Sequence, residues 1–305
     1  MRYTGLPMSK PNLTDLKAAY ARNENITQIL RGPSGTAIND QASILISYDL
    51  QAGSYIEALH DPAHRQAVAR YADAVAQTLA PLRPRSLLEP GTGEATMLSE
   101  ILRRLSLPEG SPVRAFDISW SRVHLGRGYL GAKGQSADLF AGELEAIALP
   151  DDAADVVFTS HAVEPNHGRE AEILAELYRV TGRFLVLFEP SYEFASPEAR
   201  ARMEEHRYCR GLPDIAEKLG GKVRKHKLLG TALNPLNPTG VLVVEKQPLR
   251  GVQADAGFAC PSCRAALLPS EGAFFCKAEG LAYPVLRGIP CLCRHNAVLA
   301  SRYLE

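Results

Sequence analysis

The chain has 305 residues, of which 46% are hydrophobic and 22% charged, and its 34 Lys and Arg residues balance its 34 Asp and Glu residues. This length suits one medium domain with a smaller unit, or two domains. The balanced charge excludes a global basic field of the kind that attracts nucleic acid. No run of roughly 18 apolar residues occurs, so the sequence predicts no membrane span. The first residues lack an apolar secretory segment, and we therefore expect a cytoplasmic protein.

Helical patterns occupy the N-terminal part of the chain. Residues 13–30 and residues 39–59 show a helical spacing of apolar side chains, and a turn-rich stretch at 32–35 lies between them. Residues 63–80 form a stronger amphipathic pattern that ends at two prolines. Its apolar positions are Val68, Tyr71, Ala72, Val75 and Leu79. We interpret residues 1–60 as an N-terminal helical cap.

Strands and helices alternate over residues 61–248. The predicted strands are 86–89, 113–117, 154–159, 184–189, 222–229 and 240–246. The predicted helices are 95–105, a stretch that begins at 121, 169–180 and 197–219. Residues 184–189 are almost wholly apolar, which is typical of a strand buried on both faces. The alternation predicts an α/β fold with a Rossmann-like, doubly wound, mostly parallel sheet.

The character of the sequence changes after Pro248. Residues 251–257 are interpreted as a linker, and residues 256–305 consist of short segments punctuated by glycine and proline. Five of the six cysteines lie between Cys260 and Cys293. Such clustering in a cytosolic chain favours metal binding over disulfides. We predict a small β-rich domain over residues 256–305.

A glycine-containing loop follows the first predicted strand and opens a helix. Its sequence is Glu89-Pro90-Gly91-Thr92-Gly93, and its glycines allow a ligand to approach the backbone closely. Glu89 argues against a pyrophosphate ligand, because a carboxylate repels the anion that helix-terminal N–H groups attract. An acid at this place favours a ligand with an amino group and a sulfonium, such as S-adenosylmethionine.

Two further acidic residues follow in chain order. Asp117 ends the second predicted strand before Ile118, and an acid in this position accepts hydrogen bonds from both hydroxyls of a ribose. Asp138 and Leu139 precede the next predicted strand, where the adenine edge of a nucleoside is expected. These residues predict a nucleoside site at the carboxyl ends of the strands.

Together these motifs resemble those of the class I S-adenosylmethionine-dependent methyltransferases over roughly residues 45–247. The resemblance rests on the glycine loop, Asp117, Asp138 and the strand from Asp155 in this order, and it implies that these residues bind the cofactor. One departure is Ala95, which stands where many members have a third glycine. The alternatives are a Rossmann dehydrogenase and an α/β domain that binds no cofactor.

The segment from Tyr48 to Tyr55 resembles the N-terminal helix with which many members of that family cover the cofactor. The resemblance implies that Tyr48 or Tyr55 stacks near the methionine part of the cofactor. The alternative is an amphipathic helix whose tyrosines belong to the core.

The loop after residues 154–159 is the candidate site for chemistry. It contains Ser160, His161, Glu164 and His167, and it faces the transferable methyl group if ligands bind at the strand ends. Methyl transfer needs a positioned nucleophile, and a base in some cases. We predict His161 or His167 as the base, Glu164 as the group that orients it, and Ser160 as a cofactor contact. Alternatively, His161 packs on the cofactor and Glu164 caps the following helix.

Residues 160–163 also bear on the acceptor. Enzymes of this family that methylate a planar nitrogen carry an Asn/Asp-Pro-Pro-aromatic motif in this position, whereas this chain has Ser-His-Ala-Val. The difference argues against methylation of a nucleobase or amide nitrogen, and it leaves oxygen, carbon and amine acceptors open.

The C-terminal residues contain a candidate metal site. Cys260 and Cys263 have the Cys-x-x-Cys spacing of a tetrahedral zinc site, and Cys276 follows. With Tyr-Pro and Gly-Ile-Pro segments further on, residues 256–300 resemble the small zinc-ribbon proteins that activate methyltransferases of tRNA, rRNA and release factors. The resemblance implies Zn²⁺ and support of residues 45–247. Glu279 stands where a fourth cysteine is expected, so the fourth ligand is Glu279, another cysteine (Cys291 or Cys293), or absent from a metal-free ribbon.

Three functions fit these features. The first is methylation of an oxygen on a small molecule, lipid or saccharide. The second is modification of tRNA or rRNA, which the balanced charge disfavours. The third is a catalytically silent cofactor-binding scaffold that uses the ribbon to hold a partner protein. The sequence predicts neither the acceptor nor the oligomeric state.

Overall fold

The structure, a computed structural model, describes residues 12–22, 24–31, 40–234, 236–247, 251–253 and 256–304. The turn predicted at residues 32–35 lies outside the described residues. Within those ranges, no helix combines the length and apolar character needed to cross a membrane.

Four short helices form the N-terminal part: α1 (Leu13–Ala21), α2 (Ile26–Arg31), α3 (Gln41–Leu50) and α4 (Ser54–Ala58). Each of the two predicted helical stretches is therefore divided into two helices. The break between α3 and α4 falls at Gly53, whose φ of 100° is easily adopted only by a residue without a Cβ atom.

Helix α5 (Pro62–Leu79) has clear sequence signals at its start. The side chain of Asp61 caps it by accepting from the backbone N–H groups of Ala63 and His64, and Pro62 occupies the first turn, where no N–H partner is needed. All five apolar positions predicted for this helix are buried. The helix packs beneath the main sheet as the amphipathic pattern predicts.

The main sheet has seven strands. They are β1 (Leu87–Pro90), β2 (Val113–Asp117), β3 (Asp138–Ala141), β4 (Ala154–Ser160), β5 (Thr181–Pro190), β6 (Lys222–Leu228) and β7 (Thr239–Glu245). Their order is β3-β2-β1-β4-β5-β7-β6, and β7 runs antiparallel to the other six strands. The predicted doubly wound, mostly parallel α/β fold is confirmed.

Helices cover both faces of this sheet. They are α6 (Thr96–Leu102), α7 (Trp120–Ala132), α8 (Glu170–Val180) and α10 (Leu212–Lys218), whereas α9 (Pro197–His206) belongs to a small separate cluster through Ala199 and Met203. One buried cluster joins the sheet to α5, α6 and α7, and a second joins it to α8 and α10. Adjacent residues of one strand, such as Leu87 and Leu88, belong to opposite clusters because side chains alternate across a sheet.

Two features of the main sheet differ from the prediction. Strand β3 was not expected, since its four residues form too short an apolar run. The helix expected over 197–219 is divided, because Arg207 and Gly211 take left-handed backbone conformations (φ 58° and 65°) between α9 and α10. Left-handed residues of this kind end a helix.

The C-terminal residues form a second, antiparallel sheet. Its strands are β8 (Leu268–Ser270), β9 (Ala273–Cys276), β10 (Leu281–Leu286), β11 (Ile289–Pro290) and β12 (Val298–Leu299). Its side chains share the buried cluster of α8 and α10, where Phe258 lies 5.1 Å from Phe140 between ring centroids. The predicted division into 1–60, 61–248 and 256–305 stays a prediction.

The chain after β11 also covers the edge of the main sheet. Cys291 pairs in parallel with Ala141 of β3, and the backbone N–H of Leu292 donates to the carbonyl of Ala141 over 2.7 Å. An open strand edge exposes unpaired backbone groups. Residues 291–292 satisfy one of these groups at the β3 edge.

Candidate functional site

A cavity of about 340 Å³ opens at the carboxyl ends of β1, β2 and β4, beneath α3 and α4. Ligands of doubly wound sheets bind at this edge. Predicted site residues that line the cavity are Tyr48, Tyr55, Glu89, Gly91, Thr92, Asp117, Ile118, Ser160, His161 and Glu164. The structure therefore brings together most of the side chains that the sequence assigned to one site.

The glycine loop is shaped by close packing and left-handed backbone. A Cβ atom on Gly91 would lie 2.3 Å from the Cβ of Ala162, so no side chain fits there. Gly93 does not line the cavity, but its backbone N–H donates to Asp117 over 3.0 Å. Ala95 has a φ of 53°. The left-handed backbone explains why a third glycine suits this position in the family that the loop resembles.

Glu89 is a buried acid at the end of β1, only 2% exposed. Its carboxylate accepts a hydrogen bond from the Thr92 hydroxyl over 2.5 Å. Burial raises the pKa of Glu89 to about 7, since the hydrogen bond from Thr92 offsets only part of the cost of burying the charge. A cation in the cavity would favour the ionised form.

Asp117 is held in place by the backbone on both sides. One carboxylate oxygen accepts from the N–H of Ser119 (2.9 Å) and the other accepts from the N–H of Gly93 (3.0 Å). Burial raises its pKa, against the opposing charge of Arg122. Each carboxylate oxygen accepts more than one hydrogen bond, so both oxygens can still accept from a diol in the cavity.

Asp138 and Leu139 are not brought to this cavity. Asp138 begins β3 and therefore lies at the amino ends of the strands, away from the cavity. Its side chain is 70% exposed and lies 3.7 Å from Arg114. Leu139 packs in the core with α5 and α6. The cavity wall at the carboxyl end of β3 consists of residues that the sequence analysis did not select, namely Gly142, Leu144 and Glu145.

A buried carboxylate supports that wall. Glu143 is 1% exposed and accepts from the backbone N–H of Arg294 (2.9 Å) and from its Nε (2.7 Å). The side-chain amide of Gln41, in α3, also donates to Glu143. One carboxylate thus joins the N-terminal helices, the end of β3 and the C-terminal sheet.

The helices over the cavity are docked by Glu94 and Arg122. The fully buried carboxylate of Glu94 accepts from the backbone N–H groups of Gly53 and Ile56, each over 2.9 Å. The guanidinium of Arg122 lies 4.9 Å from the ring centroid of Tyr48 and 4.4 Å from that of Tyr55. Both tyrosines therefore line the cavity and also hold the buried guanidinium of Arg122 against α3 and α4, which form the roof of the cavity.

His161 and Glu164 form an ion pair at the cavity. The Nδ1 of His161 lies 2.6 Å from a carboxylate oxygen of Glu164, and the Nε2 lies 3.0 Å from the hydroxyl of Thr239. Burial opposes the imidazolium, but the charge of Glu164 outweighs it and raises the pKa of His161. Because both ring nitrogens already have partners, the carboxylate of Glu164 is the better placed proton acceptor.

The turn that presents this pair is strained and rigid. His161 has a φ of 56°, an uncommon conformation for a residue with a side chain. Glu189, at the end of β5, accepts from the backbone N–H groups of Ala162 (3.1 Å), Val163 (3.2 Å) and Glu164 (3.0 Å). Burial raises the pKa of Glu189 to about 7. Glu189 ends the predicted strand 184–189, and no signal in the sequence assigned it to the site.

His167 forms a second pair of the same kind away from the cavity. Its Nδ1 lies 2.8 Å from a carboxylate oxygen of Glu170, and its side chain is 36% exposed. Neither residue lines the cavity. Of the two histidines predicted as a base, only His161 reaches the candidate site.

Three cysteines of the C-terminal sheet come together. The sulfur atoms of Cys260, Cys263 and Cys276 all lie within 4.8 Å of one another. The carboxylate of Glu279 does not belong to this group; Glu279 is exposed, and its backbone N–H bonds to Cys276. The hydroxyl of Tyr283 lies 3.4 Å from the sulfur of Cys260 instead. The cluster offers three of the four ligands of a tetrahedral metal site.

No protein-family model matches the chain, and no curated protein matches it. Among solved structures, the chain is similar to the magnesium protoporphyrin IX methyltransferase of Synechocystis PCC 6803 with bound SAH. The TM-score is 0.52 at 13% identity, over 68% of this chain and 100% of that one. The fold is that of class I methyltransferases.

Two further solved structures are less similar. One is a SAM dependent methyltransferase from Aquifex aeolicus, with 19% identity and a TM-score of 0.47 over 63% of this chain and 97% of that one. The other is a chain described as 'Complex between the Haloferax volcanii Trm112 methyltransferase activator and the putative methyltransferase'. It has 14% identity and a TM-score of 0.48 over 63% of this chain and 94% of that one. At these identities the likeness concerns the fold alone.

Proposed function

We propose that the chain is an S-adenosylmethionine-dependent methyltransferase whose cofactor lies in the cavity above β1 and β2. The observation that carries the proposal is the pair of buried carboxylates, Glu89 and Asp117, at the ends of adjacent strands and facing one cavity. This pair suits a ligand that combines a cation with a ribose diol. It disfavours a pyrophosphate, which the carboxylates would repel.

The residues fit distinct parts of this cofactor. Asp117 accepts from the ribose hydroxyls, Glu89 faces the amino acid part, and the wall from Gly142 to Glu145 contacts the adenine. Tyr48 and Tyr55 form part of the cavity wall on the side of α3 and α4. When bound, the cofactor supplies an electrophilic methyl group.

Glu164 and His161 manage the proton in the proposed reaction. The bound cofactor would supply its methyl group to a lone pair on the acceptor oxygen or nitrogen, with the residues of the cavity holding both reactants in line. The acceptor's proton passes to the carboxylate of Glu164, where the hydrogen bond from His161 stabilises the negative charge until transfer. Thr239 fixes the imidazole from its other side.

The proposal is tested in two steps. Calorimetric titration with S-adenosylhomocysteine measures binding, and tritium transfer from the labelled cofactor to fractionated cell extract measures activity. Label in a small-molecule, lipid or saccharide fraction supports the proposal, whereas label in RNA would replace its acceptor. Tight binding without any transfer would indicate a silent scaffold, and the absence of binding would refute the cofactor site.

The affinity for S-adenosylmethionine is expected to depend on pH through Glu89. With a pKa of about 7 in the empty cavity, Glu89 becomes protonated as the pH falls through 7 and loses its attraction for the sulfonium. Affinity should therefore rise with pH from about 6 to 8, by at most about tenfold per unit below the pKa. Calorimetry across this range checks the slope. Glu89→Gln should flatten it, and an equal slope in that variant would exclude Glu89 as its source.

We further propose that Cys260, Cys263 and Cys276 hold a structural Zn²⁺ ion. Cys260→Ser is expected to remove the metal and lower the melting temperature by about 5 °C or more, because the ion links the loop before β8 to β9. Elemental analysis and thermal melting measure both effects. Cys291→Ser is the matched control, since Cys291 is buried outside the cluster. A wild-type protein without metal would refute the zinc site.

The C-terminal sheet is expected to support cofactor binding through Arg294. Arg294→Ala removes the hydrogen bonds that the guanidinium donates to the buried Glu143 from Nε (2.7 Å) and Nη2 (3.5 Å) and keeps the one from the backbone N–H. The wall from Gly142 to Glu145 should therefore loosen, and affinity for S-adenosylhomocysteine should fall about five- to tenfold. Arg264→Ala is the matched control: it breaks the ion pair of this sheet with Glu176, outside the cavity. Calorimetry on both variants checks the prediction, and equal affinities would contradict it.

A further inference from the structure

The cluster of Cys260, Cys263 and Cys276 lacks a fourth ligand of the usual kinds. Among the described residues, no histidine, carboxylate or further cysteine brings a ligand atom within 4.8 Å of all three sulfurs. Cys291 and Cys293 are buried outside the cluster. A side chain of another type, or water, therefore fills the fourth position of a tetrahedral site here.

The pairing of β9 with β10 brings Tyr283 to the face of the sheet that carries Cys276. Tyr283 lies opposite Phe274 in this antiparallel pair, and directly opposed residues share a face. Cys276 follows Phe274 by two residues, so its side chain points to the same side. These three side chains belong to the core that the sheet shares with α8 and α10, whereas Phe275 belongs to a separate cluster. Tyr283 and Cys276 therefore project into the same space.

The Cys-x-x-Cys turn brings its sulfurs to the phenol of Tyr283. The hydroxyl of Tyr283 lies 3.4 Å from the Sγ of Cys260, and the Sγ of Cys263 lies 3.5 Å from that of Cys276. Tyr283 is fully buried. Its polar end is thus directed into the cluster and away from solvent.

These separations match those of ligands around one tetrahedral ion. Zn–S bonds of about 2.3 Å and Zn–O bonds of about 2.0 Å place a sulfur and an oxygen about 3.5 Å apart, and two sulfurs about 3.8 Å apart. The observed values are 3.4 Å between Tyr283 and Cys260 and 3.5 Å between Cys263 and Cys276. Each pair needs to shift by only a few tenths of an ångström to bind one ion.

Ser262 offers a second hydroxyl near the cluster, 3.4 Å from that of Tyr283. A phenol is a far stronger acid than an alkyl alcohol, and a metal ligand of this kind gives up its proton on binding. The phenolate is therefore the better ligand. The hydroxyl of Ser262 is placed to donate a hydrogen bond to the phenolate oxygen, as groups next to metal ligands commonly do.

We infer that Tyr283 is the fourth ligand of the metal ion, through its phenolate oxygen. The inference rests on the proposed zinc site and completes its set of ligands. Binding releases the protons of three thiols and one phenol to the solvent. Four protein ligands leave no open position for water, which is the arrangement of structural zinc sites. The ion then ties the Cys-x-x-Cys turn to β9 and to β10 at once.

Titration of the metal-free full chain with Zn²⁺, followed by near-ultraviolet difference spectroscopy, tests the inference. A phenolate absorbs at longer wavelength than a phenol, so the difference spectrum should show one phenolate for each bound ion. Elemental analysis of the same samples gives the number of bound ions. Zinc binding without a phenolate band would overturn the inference, because Tyr283 would then only donate a hydrogen bond to a cysteine ligand.

Two substitutions of tyrosine by phenylalanine locate the phenolate. Tyr283→Phe should lose the band and bind zinc about a hundredfold more weakly or worse, since removing a group that only supports a ligand already costs about 10- to 100-fold. Tyr303→Phe is the matched control, because the hydroxyl of Tyr303 donates to the carbonyl of Glu271 outside the cluster. A band that persists in Tyr283→Phe, or that disappears in Tyr303→Phe, would overturn the inference. If Tyr283→Phe does not fold, the wild-type spectrum decides by itself.

Metal analysis keeps this inference apart from the proposed zinc site. A wild-type protein that takes up no metal refutes the zinc site and the role of Tyr283 together. A wild-type protein that binds one ion without forming a phenolate refutes only the role of Tyr283. Neither result bears on the binding of S-adenosylhomocysteine, which calorimetry measures separately.

Discussion

Asp117→Ala is expected to weaken the binding of S-adenosylhomocysteine about a hundredfold or more. A hydrogen bond to a charged acceptor contributes about 1.5–3 kcal/mol, and the ribose diol makes two of them with this carboxylate in the proposed complex. The substitution also releases the N–H of Gly93, which loosens the glycine loop. Isothermal titration calorimetry measures the loss, and circular dichroism should show an intact fold.

Asp138→Ala is the control for this prediction. Asp138 was expected at the adenine, but the structure places its exposed side chain at the amino end of β3. Its removal should leave the affinity within about twofold of the wild type, as is usual for surface substitutions. Unchanged affinity in Asp117→Ala, or a large loss in Asp138→Ala, would contradict the proposed placement of the ribose and adenine.

Glu164→Gln is expected to reduce kcat about 10²- to 10⁴-fold once an acceptor is identified, because the acceptor's proton loses its destination. The change keeps the size of the side chain and should affect KM much less. Steady-state kinetics of the variant and the wild type measure both parameters.

Glu170→Gln is the matched control for Glu164→Gln. Glu170 is paired with a histidine three residues earlier, as Glu164 is, but it does not line the cavity. Steady-state kinetics should show less than about a threefold change in kcat for this variant, as expected for a side chain outside the site. Full activity in Glu164→Gln, or equal losses in both variants, would exclude Glu164 as the proton acceptor.

Elements with a clear local pattern of apolar residues were predicted correctly from the sequence. The apolar spacing of α5 and the unbroken apolar run of β5 each produced the expected element. The Cys-x-x-Cys spacing of Cys260 and Cys263 likewise predicted their approach, because four residues of a turn suffice to bring the two sulfurs together. Strand-end residues such as Glu89 and Asp117 followed from the order of the elements.

The remaining features depend on contacts that no local pattern records. Strand β3 is too short to show an alternating pattern, so Asp138, which begins it, was expected instead in the segment before the predicted strand 154–159, beside the adenine. Arg122 and Tyr48 are 74 residues apart, and Arg294 and Glu143 are 151 residues apart. Repeating patterns in a single sequence do not indicate contacts between residues so far apart. The contact of Arg122 with Tyr48 and the support of Glu143 by Arg294 were therefore seen only in the structure.

The link between Arg294 and Glu143 also sets an order of events during synthesis. The main sheet is complete only once β7 (Thr239–Glu245) has been made, and the residues from there to Arg294 take roughly 2–10 s to translate. During that interval, a nascent chain with a formed main sheet lacks the hydrogen bonds from Arg294 to Glu143 and the cover of the β3 edge, where other chains can pair. Residues 291–294 therefore complete the fold. We expect the newly made protein to bind its ligand only after these residues have been translated, and to depend on chaperones until then.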